Sequence, residues 1–363
     1  MLVTLVAGAR PNFMKIAPII KALKASQPRY SKLQYRLVHT GQHFDQKMSG
    51  IFFDQLDIPA PNVNLACGGG SQAEQTGSIM KAFEHELALN KPDVVVVVGD
   101  VTSTMACAIT AKKMCVDCVH VEAGIRSGDM TMPEEVNRIV TDSICDHFFT
   151  TTTMATSLLI SQKVASQRIH FVGNTMIDTL LQNSGRLQKP DFWDSHGLSP
   201  QNYFILTLHR PSNVDDPSIL KELITSLSEL LKDFPVIFPA HPRTRSMLNN
   251  LSIDTKGLVL VDPLSYLEFI YLIRSSKGII TDSGGITEEA TVLDIPCITL
   301  RDTTERPETV MYGTNVLVGN DLNLLRQYVQ RIIKGDWKSA SVPERWDGKS
   351  AERIVEVLIS KYY

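Results

Sequence analysis

The chain has 363 residues, room for two domains of ordinary size. Hydrophobic residues make up 43% and charged residues 21%, the composition of a globular protein that buries its core without staples. A formal net charge of −3 supplies no general basic field for nucleic acid, and no apolar run approaches the roughly 18 residues that cross a bilayer, so no nucleic-acid or membrane partner is expected.

In chain order, the first apolar run is Leu2–Ala7. It is short, has no basic residues before it and leads into Gly8-Ala9-Arg10-Pro11, so it reads as a strand and turn rather than a signal peptide. Further strands are predicted at Tyr35–His39, Val94–Val98, Val119–Glu122, Phe148–Thr151 and Ile169–Val172. Val94–Val98 is five valines, as a strand buried on both faces requires. A second series follows at Phe204–Leu208, Val236–Pro239, Leu258–Val261, Gly278–Thr281 and Cys297–Leu300. Amphipathic stretches lie between them at Lys15–Ala25, Gln72–Leu89, Ile219–Lys232 and Ser265–Arg274, and Lys349–Tyr363 closes the chain as a helix. Alternation of this kind predicts an α/β protein of two doubly wound, Rossmann-like domains, 1–173 and 174–348, with parallel sheets. The six cysteines are scattered, and Cys115 and Cys118 read as strand or turn positions rather than zinc ligands; a reduced, cytoplasmic setting is expected.

Ligands of open parallel sheets bind beyond the carboxyl ends of the strands. The polar clusters of this chain fall at those ends. The first series delivers Gly8-Ala9-Arg10-Pro11-Asn12, then His39-Thr40-Gly41-Gln42-His43, Gly99-Asp100 and Glu122. The second delivers His209-Arg210, His241-Pro242-Arg243, Asp282-Ser283-Gly284-Gly285 and Arg301-Asp302. Two such rims facing one another would form a cleft. Ser283-Gly284-Gly285 opens a helix, where free amides and the dipole favour an anion and the glycines admit a diphosphate; a plain serine cap accounts for the same residues. Neither a Walker A motif nor GxGxxG occurs, and Gly68-Gly69-Gly70 reads as a loop. Pro133-Glu134-Glu135-Val136-Asn137-Arg138 starts a helix with acids in its first turn, and Glu134 and Arg138 have the spacing of a helix-face pair.

Taken together in order, Ala9-Arg10-Pro11 with Lys15, His39-Thr40-Gly41-Gln42, Gly99-Asp100, His120-Val121-Glu122-Ala123-Gly124, Pro133-Glu134-Glu135 with Asn137-Arg138, His209-Arg210 and Thr281-Asp282-Ser283-Gly284-Gly285 with Glu288-Glu289 resemble the non-hydrolysing UDP-N-acetylglucosamine 2-epimerases. The resemblance covers nearly the whole chain, through Arg301–Glu308. It implies the glycosyltransferase-B fold, with the last helix, 349–363, packing back on the first domain, and a cytosolic homodimer. It also implies a reaction in which UDP leaves C1 as the C2 proton is removed, and the resulting glycal is reprotonated on the other face. Asp100, Glu122 and Glu134 correspond to the acid-base group and His209 to a further member of it or a stabiliser of the leaving group; Arg10, Lys15, Arg138, His241 and Arg306 correspond to residues at the phosphates or shaping the site. Ser283, Gly284 and Gly285 correspond to the diphosphate loop and Glu289 to the ribose contact, and the implied reaction uses no metal, NAD or other cofactor.

Two departures matter. Gly69-Gly70 stands where many bacterial members carry an Arg-Gln pair, and Gly128–Pro133 lacks their Ser-Pro-x-Pro-Glu-Glu form, which speaks against allosteric activation by a second UDP-sugar. His39–Asp45, the glycine loop and Met132–Glu135 look closer to enzymes that epimerise UDP-2,3-diacetamido uronic acids, whereas Thr304–Glu308 keeps the N-acetylglucosamine form. A glycosyltransferase is the main enzymatic alternative, because the fold hosts many of them, followed by a hydrolysing relative that releases free N-acetylmannosamine and UDP and by a non-catalytic UDP-sugar-binding protein.

Overall fold

A computed structural model describes residues 1–42, 52–240, 244–245, 247–248 and 257–363. The chain divides into two compact units, Met1–Gln182 with Glu344–Tyr363, and Asn183–Pro343.

The first unit begins with β1 (Leu2–Ala7), α1 (Arg10–Ser26), β2 (Gln34–His39), β3 (Val63–Asn64), α2 (Gln72–Leu89) and β4 (Val94–Val98). It continues through α3 (Thr102–Lys113), β5 (Asp117–Ala123), α4 (Pro133–Ile144), β6 (His147–Thr150), α5 (Thr153–Ser161), β7 (Ile169–Phe171) and α6 (Thr175–Asn183). Its strands form one parallel sheet in the order β3-β2-β1-β4-β5-β6-β7. All five valines of β4 are buried, as a strand hydrogen-bonded on both edges and covered on both faces must be.

The second unit runs β8 (Phe204–Thr207), α7 (Pro211–Val214), α8 (Pro217–Leu230), β9 (Val236–Pro239), β10 (Leu258–Val261), α9 (Tyr266–Ser275) and β11 (Gly278–Thr281). Then come α10 (Gly284–Val292), β12 (Cys297–Thr299), α11 (Pro307–Met311), β13 (Asn315–Leu317) and α12 (Leu322–Lys334). Its parallel sheet has the order β10-β9-β8-β11-β12-β13. Phe204, Leu206, Phe238 and Ile298 of the strands join Leu220, Ile224, Leu325 and Val329 of α8 and α12 in its core. Both sheets show the doubly wound order in which the winding reverses beside the first strand, between β1 and β4 and between β8 and β11.

The closing helix α13 (Ser350–Tyr362) returns to the first unit and packs on α1. Asp178 of α6 anchors it by accepting from Ser350 N (3.1 Å) and Ala351 N (2.7 Å). Thr179 Oγ1 donates to Met14 O (2.5 Å), and Trp346 Nε1 donates to Thr151 O (3.1 Å). These contacts place α6 through Gln182, and the stretch that leads into α13, inside the first unit, whereas the sequence reading put the first divide at 173/174 and the resemblance returned only 349–363.

The strands read from apolar runs lie within a few residues of where they were expected. β3 has two residues and leaves no run to read, and the short β13 was not among the runs read. α3 shows no stripe because it is buried on most of its surface by Thr, Ser and Ala. Cys118 lies in β5 and Cys115 in the turn before it, and all six cysteines are thiols.

Candidate functional site

At the switch point of the first sheet, the chain leaves β1 through Gly8 and Ala9 into α1. Asn12 holds this turn: its Oδ1 accepts from Gly8 N (3.1 Å) and Ala9 N (3.2 Å), and its Nδ2 donates to Val98 O (3.1 Å) at the end of β4. The two strand ends flanking the reversal are thus tied by one buried amide. Arg10, first residue of α1, lies with its guanidinium 4.2 Å from the Phe52 ring centroid. One turn on, the Lys15 ammonium pairs with the Glu122 carboxylate, and both side chains are buried.

Glu122 reaches that position through a distortion of β5. The pairing with β6 slips between Val121 and Ala123, and Glu122 adopts φ +70°. A bulge re-aims a side chain, and a left-handed non-glycine residue stores strain that sites tend to use. Gly99, itself at φ +67°, makes room for the arrangement: a Cβ there would stand 2.8 Å from Lys15 Nζ and 3.6 Å from Glu122 Oε2.

The next residue, Asp100, pairs with Arg138 of α4, and its carbonyl accepts from Asn137 Nδ2 (2.8 Å). Arg138 also donates to Glu135 Oε2 (3.0 Å). Glu135 in turn accepts from Ser127 N (2.9 Å), Ser127 Oγ (3.0 Å) and Gly128 N (3.1 Å). Burial pushes the Glu135 carboxyl up, but these amides and Arg138 outweigh it and hold it below the usual carboxylate range. Behind them, the buried His120 ring bridges Gly99 O (2.8 Å) and Asp142 Oδ1 (2.7 Å). Asp142 Oδ2 also takes Gly124 N (3.1 Å) and Arg126 Nη1 (2.6 Å). Burial raises the Asp142 carboxyl; His120 and Arg126 bring it below its ordinary value.

Glu134 differs from its neighbours. It is half-buried in the first turn of α4 and, among the described residues, makes no hydrogen bond or ion pair. The helix-face pair with Arg138 suggested by the spacing therefore does not form; Arg138 turns to Glu135 and Asp100 instead.

At the switch point of the second sheet, Asp282 is the centre. Its fully buried carboxylate accepts from His209 N (3.0 Å), Arg210 N (2.9 Å), Asn213 Nδ2 (3.0 Å) and the His209 ring at Nδ1 (2.6 Å). Burial acts to raise its carboxyl, but His209 and these donors keep it below its ordinary value. The His209 side chain is 60% exposed, so a buried acid fixes one ring nitrogen while the other is left to the solvent side. Ser283 begins α10, yet its hydroxyl makes no capping bond, so the plain-cap reading does not hold. Apart from the helix's own backbone, no atom of the described residues lies within 4 Å of where a Cβ on Gly285 would be, which leaves open space over the first turn. Behind it, Glu288 pairs with Arg306 Nε (3.1 Å), and Glu289 lies near Tyr266, whose hydroxyl burial and the Glu289 charge push up.

The structure thus gathers Lys15, Asp100, Glu122 and Arg138 around one strand reversal, with Arg10 and Glu134 on the adjoining helix starts. It places His209, Ser283, Gly284, Gly285, Glu289 and Arg306 around the reversal of the other sheet or along α10. His241 lies outside the described residues. Sequence reasoning passed over Asn12, Glu135, Asn137, Asp142 and Asp282 as working residues. Glu135, Arg138 and Asp142 recur at helix spacing on the buried face of α4, a charged stripe that was there to be read. Among the described residues, no group of three or more His, Cys, Asp or Glu is arranged to hold a metal ion.

This geometry has counterparts. The profile of the UDP-N-acetylglucosamine 2-epimerase family matches residues 25–359. A UDP-N-acetylglucosamine 2-epimerase of Methanocaldococcus jannaschii is 40% identical, over 99% of each chain. A UDP-2,3-diacetamido-2,3-dideoxy-D-glucuronate 2-epimerase of Pseudomonas aeruginosa is 41% identical, over 97% of this chain and 98% of its own. The crystal structure of the Methanocaldococcus enzyme with UDP-GlcNAc and UDP superposes with a TM-score of 0.88 at 39% identity, over 99% of this chain and 100% of that one. A lipopolysaccharide outer-core galactosyltransferase, 14% identical with a TM-score of 0.57, shares the fold alone, which is the glycosyltransferase-B type. The chain belongs to the UDP-N-acetylglucosamine 2-epimerase family.

Proposed function

We propose that this enzyme interconverts UDP-N-acetylglucosamine and UDP-N-acetylmannosamine by anti-elimination of UDP to a glycal and its re-addition, without release of free sugar. The observation that carries the reading is the set of three carboxylates at one strand reversal and its adjoining helix, two of them held by cations and one, Glu134, unpaired among the described residues. The C2 hydrogen of the sugar is not beside a carbonyl and is barely acidic, so departure of the diphosphate must carry much of the work. The first unit supplies acid-base groups for C2 in Asp100, Glu122 and Glu134. Lys15 and Arg138 set the charge environment of Glu122 and Asp100, and with Arg10 they contact phosphate or shape the site. The second unit supplies a helix start at Ser283, Gly284 and Gly285 for the diphosphate, with His209 to stabilise the leaving group, Arg306 beside it and Glu289 for the ribose hydroxyls. Every step is assigned to side chains and backbone amides, with no metal, nicotinamide or other cofactor.

Proton NMR in D2O with UDP-N-acetylglucosamine tests this. Deuterium should enter C2 while a UDP-N-acetylmannosamine signal grows to a steady ratio. Release of free N-acetylmannosamine, or UDP-sugar binding with no exchange at C2, would overturn it. The 41% identity to the Pseudomonas enzyme favours one second reading, a UDP-2,3-diacetamido uronic acid substrate, which the same experiment with that sugar distinguishes. We further read the protein as a cytoplasmic homodimer serving surface-polysaccharide synthesis. Its six thiols suit a reducing compartment, and the exposed Val136 and Ile139, one turn apart on α4, offer a second copy an apolar face. Gly69 and Gly70 leave no arginine at the position used for activation by a second UDP-sugar, so we expect hyperbolic kinetics.

A further inference from the structure

We infer that Arg301 is a further diphosphate-binding residue, held on Glu305 until an anion reaches the start of α10. The inference rests on the UDP-sugar reading above and adds to it a cation that exchanges partners. Arg301 follows β12, and its side chain is only 5% exposed. Its Nη2 donates to Glu305 Oε2 at 2.6 Å. Its Nη1 is buried and, among the described residues, has no hydrogen-bond partner. A buried guanidinium N–H without an acceptor is costly, and folded proteins keep few of them.

The position of that N–H gives it a purpose. Nη1 lies 3.6 Å from the point where a Cβ on Gly284 would sit, and Glu305 Oε1 lies 2.8 Å from the same point. The open donor and the carboxylate therefore both stand over the first residue of α10. There the Ser283 hydroxyl leaves the helix start uncapped, and among the described residues the space above Gly285 is open. A helix start favours negative charge, and Glu305 brings one carboxylate to it. A diphosphate brings more charge and more acceptors, and it satisfies Nη1, which Glu305 leaves open. Gly284 is needed on this account because any side chain there would push Glu305 off its seat. Glu305 acts as a competing anion that weakens the hold on UDP, which an enzyme that must let UDP leave C1 and return can use.

Calorimetric titration with UDP and with uridine, on the wild type and on R301Q, R301K and E305Q, tests this. R301Q should bind UDP about tenfold or more weakly while its uridine affinity stays unchanged, with R301K in between. E305Q should bind UDP several-fold more tightly, again with uridine unchanged. Wild-type affinity for UDP in R301Q, or an equal loss for UDP and uridine, overturns the assignment and leaves the epimerase reading standing. A wild-type protein that does not bind UDP at all overturns both. If R301Q does not fold, E305Q decides: tighter UDP binding supports the exchange, and unchanged or weaker binding overturns it.

Discussion

Glu134 is the residue on which the chemistry can be tested most cleanly, because it holds nothing else in place among the described residues. Glu134→Gln should lose at least about 10²-fold in turnover, the size of a removed acid-base group, while UDP affinity and melting temperature stay near wild type. Retained turnover would remove it from the proton-transfer set. Asp282 makes a different prediction, because it acts through His209. Asp282→Asn leaves a shape of the same size but removes the charge that fixes the ring. We expect kcat to fall more than KM rises, and the pH profile of kcat to move; a purely structural role would lower the melting temperature and leave the profile in place. At this scale the candidate site was legible where chemistry-bearing residues end a strand or begin a helix, as Asp100, Glu134, His209 and Ser283 do. Apart from the charged stripe of α4, its supports were not. Nothing in the sequence announces that Glu122 sits at φ +70° in a bulge, or that Asn12 reaches across to β4, because both depend on neighbours distant in the chain.

Among the elements, the seam between α13 and the β6–β7 edge contains a pair of histidines. His170 Nε2 lies 3.3 Å from His147 Nδ1, and Tyr362 of α13 meets the His147 ring edge-on at a centroid distance of 6.3 Å. Burial, then the neighbouring His147 and Lys361, bring His170 down to about 4 from an ordinary 6.5. His147 is lowered as well, by burial first and then by Lys361. A depressed folded value means the neutral rings contribute stability that is complete above pH 6.5 and lost as pH falls from there toward 4. The melting temperature should therefore drop across that window, and His170→Gln should flatten the drop. Parallel curves for the two proteins would show that the seam is not responsible. The elements themselves were largely readable, since long strands buried on both faces leave apolar runs. Two exceptions have physical causes: β3 is too short to leave a run, and α3 is too thoroughly buried to show a stripe.

For the whole molecule, the doubly wound pattern followed from strand-helix alternation, but the limits of each unit did not. They depend on side-chain bonds such as Asp178 to the start of α13 and Trp346 to Thr151, between residues far apart in sequence. The proposed dimer belongs to this scale. Light scattering behind size-exclusion chromatography should give twice the monomer mass of 40.3 kDa, and Val136→Glu should shift it toward one copy. A single-copy mass for the wild type would leave the exposed apolar face of α4 without its proposed partner. The return of α13 also has a consequence for biosynthesis. The first unit is interrupted in the chain by the whole of the second, and it recovers its final helix only after residue 343 has been made. On the ribosome, the second unit is fully synthesised while the first still waits for a segment, so α1 keeps an uncovered flank through most of translation. The unit begun before the other is completed after it.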